Sequence, residues 1–262
     1  MDWSSWYLTD EEDEGQTIEQ AEIIRTMLSV LKEWARERGW NRLYIGGDQF
    51  FAWVPSEPLV RVSPDVYLID DPPPLPDRWQ TWLPGHRPPR FAVEVVSRGR
   101  KDDYEDAPLK YALLGAQELV IFDPGVTPGS ESSQRIFLRL YRRNGAGAFL
   151  RVYAGPGPVH SVQLDAHLVV WRGDGVARLR LARDAAGRDL IPTVEEARLE
   201  AEQRTLEAEQ RTLEAEQRAL EEVKARHKAE QRALEEAMAR HKAEQRLREL
   251  EEMLKKLRGP LG

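Results

Sequence analysis

Length, composition and charge limit what this chain can be. It has 262 residues, 41% hydrophobic and 32% charged, which is enough for one medium-sized domain and an appendage. It contains no cysteine, which excludes disulfides and cysteine-ligated zinc. The sequence has neither an apolar run of membrane length nor the basic-then-apolar start of a signal peptide. We therefore expect a soluble, cytoplasmic protein.

The net charge of −7 is unevenly distributed along the chain. Residues 1–15 carry six acids and no base, without periodicity, which predicts a loose acidic arm. Residues 193–262 carry 15 basic and 17 acidic residues in a helical pattern. The remaining body, 16–192, is close to neutral, so contact with nucleic-acid phosphates stays open. These differences predict three parts: an acidic arm (1–15), an α/β domain (16–192) and a long charged helix (193–262).

The body opens with a helix and then changes to strands. Apolar residues recur at helical spacing from Thr17 to Arg38, and this pattern puts Gln20 on the inward face. Segments 43–45 and 50–54, separated by two glycines and Asp48, predict a β-hairpin. The proline-rich stretch 70–89 predicts an irregular loop, either a lid over a site or a structural wrap.

Two acids interrupt otherwise apolar strand patterns. Glu94 lies inside the run 91–97, and Asp65 opens the run 65–69. A buried carboxylate requires a cation, a proton or hydrogen-bond donors. Two acids on neighbouring strands are suited to holding a hard divalent cation such as Mg²⁺. The alternative, a turn-forming Asp and a solvent-facing Glu, has similar weight on this pattern alone.

The rest of the body predicts one strand–helix–strand crossover followed by a meander. A helix over 103–114 and a strand over 118–122 form, with the Glu94 strand, a parallel crossover. Short strands follow, the last two as a hairpin around residues 173–175. The predicted fold class is α/β, with one twisted mixed sheet.

The C-terminal segment predicts a single long helix. Thr193 and Glu196 form a capping-box pattern, and helical spacing continues to about Leu257. Leucines recur every seven residues, as at the d positions of a coiled coil, but glutamines occupy most of the a positions. Many Glu–Arg pairs lie four residues apart, which favours a solvated single helix. A solvated single helix and a weak coiled coil both remain open. A better leucine seam over 247–257 makes this end the best candidate for homo-oligomer formation.

Four motifs together resemble a known family, the Uma-two family of restriction-endonuclease-like proteins in the PD-(D/E)XK nuclease superfamily. They are Val62-Ser63-Pro64-Asp65-Val66, Val93-Glu94-Val95-Val96-Ser97-Arg98, Tyr111-Ala112-Leu113-Leu114-Gly115 and Phe122-Asp123-Pro124. The resemblance covers roughly residues 16–192, and a charged helical tail is also similar to family members. It implies a restriction-endonuclease-like mixed sheet flanked by helices, with Mg²⁺ or Mn²⁺ as cofactor and DNA as substrate.

The same resemblance implies roles for individual residues. Asp65 and Glu94 match the two metal-binding acids, and the carbonyl of Val95 is a further implied ligand. The superfamily's lysine position is occupied here by Val96. Lys110, or Lys101 in the preceding loop, is the candidate substitute, although a surface ion pair is the more ordinary role for Lys110.

The sequence therefore predicts a metal-dependent endonuclease that hydrolyses DNA. In this reading Asp65 and Glu94 bind the metal, Gln20 positions water or supports a ligand, and Lys110 activates the nucleophile. The rival is a catalytically silent module that binds nucleic acid or a protein partner and assembles through its helical tail.

Overall fold

The computed structural model describes residues 3, 6–8, 17–74, 76–96, 102–126, 136–173, 175–257 and 259. Most of the predicted acidic arm, and Lys101, lie outside these described residues. Three helices are described: α1 (Ile18–Glu37), α2 (Asp102–Leu114) and α3 (Val194–Leu257). The strands are β1 (Leu43–Gly46), β2 (Phe51–Ala52), β3 (Arg61–Val62), β4 (Val66–Asp70), β5 (Trp79–Gln80), β6 (Phe91–Val95), β7 (Glu118–Phe122), β8 (Leu138–Arg143), β9 (Phe149–Gly155), β10 (Val159–Ser161), β11 (Ala166–Trp171) and β12 (Arg178–Ala182).

A six-stranded mixed sheet forms the centre of the α/β body. Its strand order is β1-β4-β6-β7-β8-β9. Strands β6 and β7 are parallel and are connected through α2, while all other neighbours in this sheet are antiparallel. The predicted crossover is therefore confirmed. It places the ends of β6 and β7 at the same edge of the sheet.

Each face of this sheet is covered by a different helix. Ile23, Met27 and Leu31 of α1 pack in one core with the alternate strand residues Val66 and Val93. The opposite core contains residues of α2 together with the other set of strand residues. Because side chains alternate along a strand, each central strand supplies both cores, which explains its nearly continuous apolar sequence.

Two predictions about strand pairing are wrong. Segments 43–46 and 51–52 do not form a hairpin, because β1 pairs with β4 whereas β2 pairs with β3 and β5 in a small separate sheet. Gly46, at the end of β1, and Gly47 after it serve close packing: a Cβ at Gly46 would lie 2.8 Å from the Tyr67 ring, and one at Gly47 would lie 2.3 Å from the Asp65 carbonyl oxygen.

The predicted single sheet is also divided. Strands β10, β11 and β12 form a third sheet of their own. The predicted irregular loop 70–89 contains the short strand β5, which pairs in parallel with β2 and buries Trp79 completely.

The chain divides into two compact units, Met1–Arg198 and Leu199–Gly262. Helix α3 begins in the first unit, where Thr193 and Glu196 form the expected reciprocal capping box. In the second unit, every side chain from 199 to 256 is exposed. None of the described helices combines the length and apolar character that a membrane span requires.

Candidate functional site

Asp65 and Glu94 lie on the same face of the central sheet. Val66 pairs with Val93, so Asp65 and Glu94 stand opposite each other one step further along the antiparallel β4–β6 pair. Alternation directs both toward the core that contains Tyr67 and Ala92. Both acids are partly exposed, so a ligand can reach them from solvent. The structure thus brings together the two acids that the sequence singled out.

The Asp65 carboxylate is held by the backbone of the neighbouring strand. Its Oδ2 accepts a hydrogen bond from the Val95 amide at 2.7 Å. Val95 itself is only 4% exposed. A charged acceptor forms a stronger bond with a backbone amide than a neutral one does. Asp65 therefore also satisfies a buried backbone donor at the end of β6.

A tyrosine of helix α2 holds the Glu94 carboxylate. The Tyr111 hydroxyl of α2 donates to Glu94 Oε1 at 2.6 Å, and Tyr111 is completely buried. Tyr111 lies in the same core as Ala107 and Leu114, so its ring is fixed by the apolar packing of α2. This bond joins the crossover helix to the candidate site.

The Val95 carbonyl, which the family resemblance implied as a ligand, is contacted from the other face of the sheet. Gln20 donates from Nε2 to this carbonyl at 3.1 Å. The Oε1 atom of Gln20 accepts from the Thr17 amide at 3.1 Å, as part of the α1 capping box. The start of α1 therefore orients the Gln20 amide toward the Val95 carbonyl.

The predicted lysine, Lys110, forms no hydrogen bond or ion pair with Asp65 or Glu94 among the described residues. Lys110 is partly buried on α2, next to Tyr111. Within the described part of the chain, Lys110 makes no hydrogen bond or ion pair. Val96, at the position where the family resemblance implies a lysine, is 7% exposed and packs in the α2-side core. Lys101 lies outside the described residues.

The donor atoms at this site fit a hard divalent cation. Two carboxylates and a backbone carbonyl are oxygen ligands, and Mg²⁺ is often bound by one or two carboxylates together with water and substrate phosphates. Among the described residues, no group of three or more His, Asp or Glu side chains is arranged to hold a metal. The site therefore fits a cation whose coordination is completed by water and substrate, and does not fit an all-protein cage.

The architecture, a mixed sheet flanked by helices, is consistent with a nuclease-like class of protein. The family model of Uma2, described as "Putative restriction endonuclease", matches residues 11–168, more than half of the chain. The chain belongs to this family, as its motifs predicted, and its mixed sheet with flanking helices is consistent with a restriction-endonuclease-like fold. No curated protein matches the sequence.

Tyr111 belongs to one of the family motifs in the sequence, but the sequence predicts no role for it in the site. The signal was nevertheless present, because a partly buried Glu requires a donor and α2 is the helix that crosses over its strand. The helical pattern could not show which α2 residue reaches Glu94. That contact depends on the position of α2 across the sheet.

Proposed function

We propose that this protein is a metal-dependent endonuclease that hydrolyses DNA phosphodiester bonds. In this proposal Asp65, Glu94 and the carbonyl of Val95 hold Mg²⁺ or Mn²⁺. The observation that carries the proposal is the placement of Asp65 opposite Glu94 on one face of the central sheet. Membership of the nuclease-like family supports the same chemistry.

The residues of the chain have separate tasks in this mechanism. A bound divalent cation would supply Lewis-acid stabilisation of phosphate charge and lower the pKa of attacking water. Asp65 and Glu94 supply the negative charge that attracts the cation. The Val95 amide and the Tyr111 hydroxyl each hold one oxygen of these carboxylates, and Gln20 orients the Val95 carbonyl. Preorganised groups of this kind reduce the reorganisation that the reaction requires.

Lys110 is our candidate for the group that activates the attacking water. It lies on α2 immediately before the residue that contacts Glu94. Adjacent residues on a helix point about 100° apart, so Lys110 and Tyr111 start in different directions. In this proposal the Lys110 side chain adopts a rotamer that brings its ammonium group toward the metal site.

A second candidate function is a nuclease-like module without turnover. The buried Val96 at the usual lysine position favours it, because an apolar side chain cannot assist proton transfer. Such a module would retain binding of nucleic acid or a protein partner, and the long helix would serve assembly.

Nicking of supercoiled plasmid tests the two functions against each other. Wild type, Glu94→Ala and Lys110→Ala are compared in Mg²⁺, in Mn²⁺ and without metal. We expect metal-dependent nicking by wild type and none by Glu94→Ala. Equal nicking by wild type and Glu94→Ala would exclude this site as its source. No nicking by wild type, with calorimetric metal binding retained, would favour the silent module.

We also propose that copies of the chain associate through the C-terminal end of α3. Leu247, Leu250 and Leu254 are at least half exposed there. In a parallel pair with these leucines at the interface, Arg246 of one copy faces Glu251 of the other.

The heptad leucines earlier in α3 are poorly suited to the same pairing. They include Leu206 and Leu213, which are exposed. Parallel pairing across this stripe places Glu202 opposite Glu207 of the second copy, and Glu209 opposite Glu214, so like charges oppose association. This difference in charge confines the proposed contact to residues 247–257.

A further inference from the structure

Helix α2 carries two buried or partly buried tyrosines that contact different carboxylates. Tyr104 and Tyr111 are seven residues apart, which places them two turns apart on the same side of a helix. The Tyr104 hydroxyl donates to Asp123 Oδ2, and the Tyr111 hydroxyl donates to Glu94 Oε1. The two contacts are alike in chemistry, but only one of the acids belongs to the candidate metal site.

The Asp123 carboxylate is buried and connects elements of the fold. It is 1% exposed, and its other oxygen accepts from the Gly125 amide at 2.9 Å in the turn after β7. The guanidinium of Arg139 lies 4.3 Å from the Tyr104 ring. Tyr104 and Asp123 therefore connect α2 to the β7 turn and to β8.

Glu94 differs because it is partly exposed and stands opposite Asp65. A Glu side chain has several rotamers, and a cation requires one of its oxygens at a fixed position. A short hydrogen bond from a buried, packed tyrosine removes much of that freedom at one oxygen.

We propose that Tyr111 is a positioning residue for the metal site, which holds the Glu94 carboxylate through Oε1 in the orientation that binds the divalent cation. This inference rests on the proposed function. Tyr111 does not touch the cation or the substrate in this arrangement. Its effect on metal binding passes through Glu94, as with other groups that orient metal ligands.

The test compares Tyr111→Phe with Tyr104→Phe. Each variant removes one hydroxyl from the same face of α2 and retains the aromatic ring, so the second is a matched control. Binding of Mn²⁺ is measured by titration calorimetry, and the thermal midpoint of unfolding is measured without metal. We expect Tyr111→Phe to weaken Mn²⁺ binding about 10-fold, since loss of such supporting groups typically costs 10–100-fold. We expect Tyr104→Phe to bind Mn²⁺ like wild type.

A second readout separates positioning from a general structural effect. If wild type nicks plasmid, a high Mn²⁺ concentration should restore nicking by Tyr111→Phe but not by Glu94→Ala, because only the latter has lost the ligand itself. If Tyr111→Phe bound Mn²⁺ with wild-type affinity, or if Tyr104→Phe lost as much affinity, the positioning role of Tyr111 would be refuted. The proposed metal site itself would not be affected by either result. Absence of Mn²⁺ binding by wild type would overturn the proposed metal site and this inference with it.

Discussion

Replacement of Asp65 separates its structural contribution from its contribution to metal binding. In the metal-free protein, Asp65 Oδ2 accepts from the amide of Val95, which is almost fully buried. Asp65→Ala leaves this N–H without that acceptor. A buried donor that loses its partner costs about 1–3 kcal/mol, and for a domain of this size 1 kcal/mol corresponds to about 2–4 °C in Tm. At the middle of that range, we expect the metal-free Tm to fall by about 4–8 °C.

Asp65→Asn provides the matched control. The amide oxygen of Asn can still accept from the Val95 N–H, so we expect a Tm close to that of wild type. The negative charge is lost, however, so calorimetry should show weakened Mn²⁺ binding in both variants. Relief of repulsion between Asp65 and Glu94 acts in the opposite direction on stability. An unchanged or raised Tm in Asp65→Ala would therefore refute the reasoning that this bond dominates.

Three further predictions concern the helical tail and its attachment. A chain ending at Arg198 should unfold cooperatively as a monomer, since it retains the first compact unit; aggregation during size-exclusion chromatography would contradict the boundary. Leu254→Glu should abolish any self-association seen by analytical ultracentrifugation, whereas Leu206→Glu should leave it intact; the reverse pattern would exclude the C-terminal contact. Partial burial raises the pKa of Glu196, but hydrogen bonds from Thr193 and Arg180 outweigh it and keep the pKa below its ordinary 4.5. A lowered folded-state pKa contributes stability that is complete above the ordinary value of 4.5 and is lost as pH falls through the folded value. Glu196→Gln should therefore lower Tm at pH 7, and this difference in Tm should shrink as the pH is lowered below 4.5; a difference that stays constant as the pH falls would contradict this interpretation.

The sequence by itself determined the order and type of the main elements and the identity of the two acids. The helical period predicted α1 and α2 within a residue or two of their observed bounds, and the capping box predicted the start of α3. Glu94 and Asp65 were identifiable because a charged residue in an apolar strand is costly without a partner. These features are local, since they depend on period, capping and composition over a few residues.

Only the tertiary structure decided which segments pair and which side chains meet. The glycine pair at the end of β1, Gly46 and Gly47, predicts a turn from sequence, yet these glycines permit close approach to Tyr67 and Asp65, and β1 pairs with β4. The contact of Gln20 with Val95 spans 75 positions in the chain.

The bond from Tyr111 to Glu94 depends likewise on how α2 lies across β6 and β7. Short-range patterns carry no information on such distances, because packing of two cores on opposite faces of one sheet sets them. The sequence thus supplied the charged groups of the candidate site, and the packing of α1 and α2 against the sheet supplied the donors that hold them.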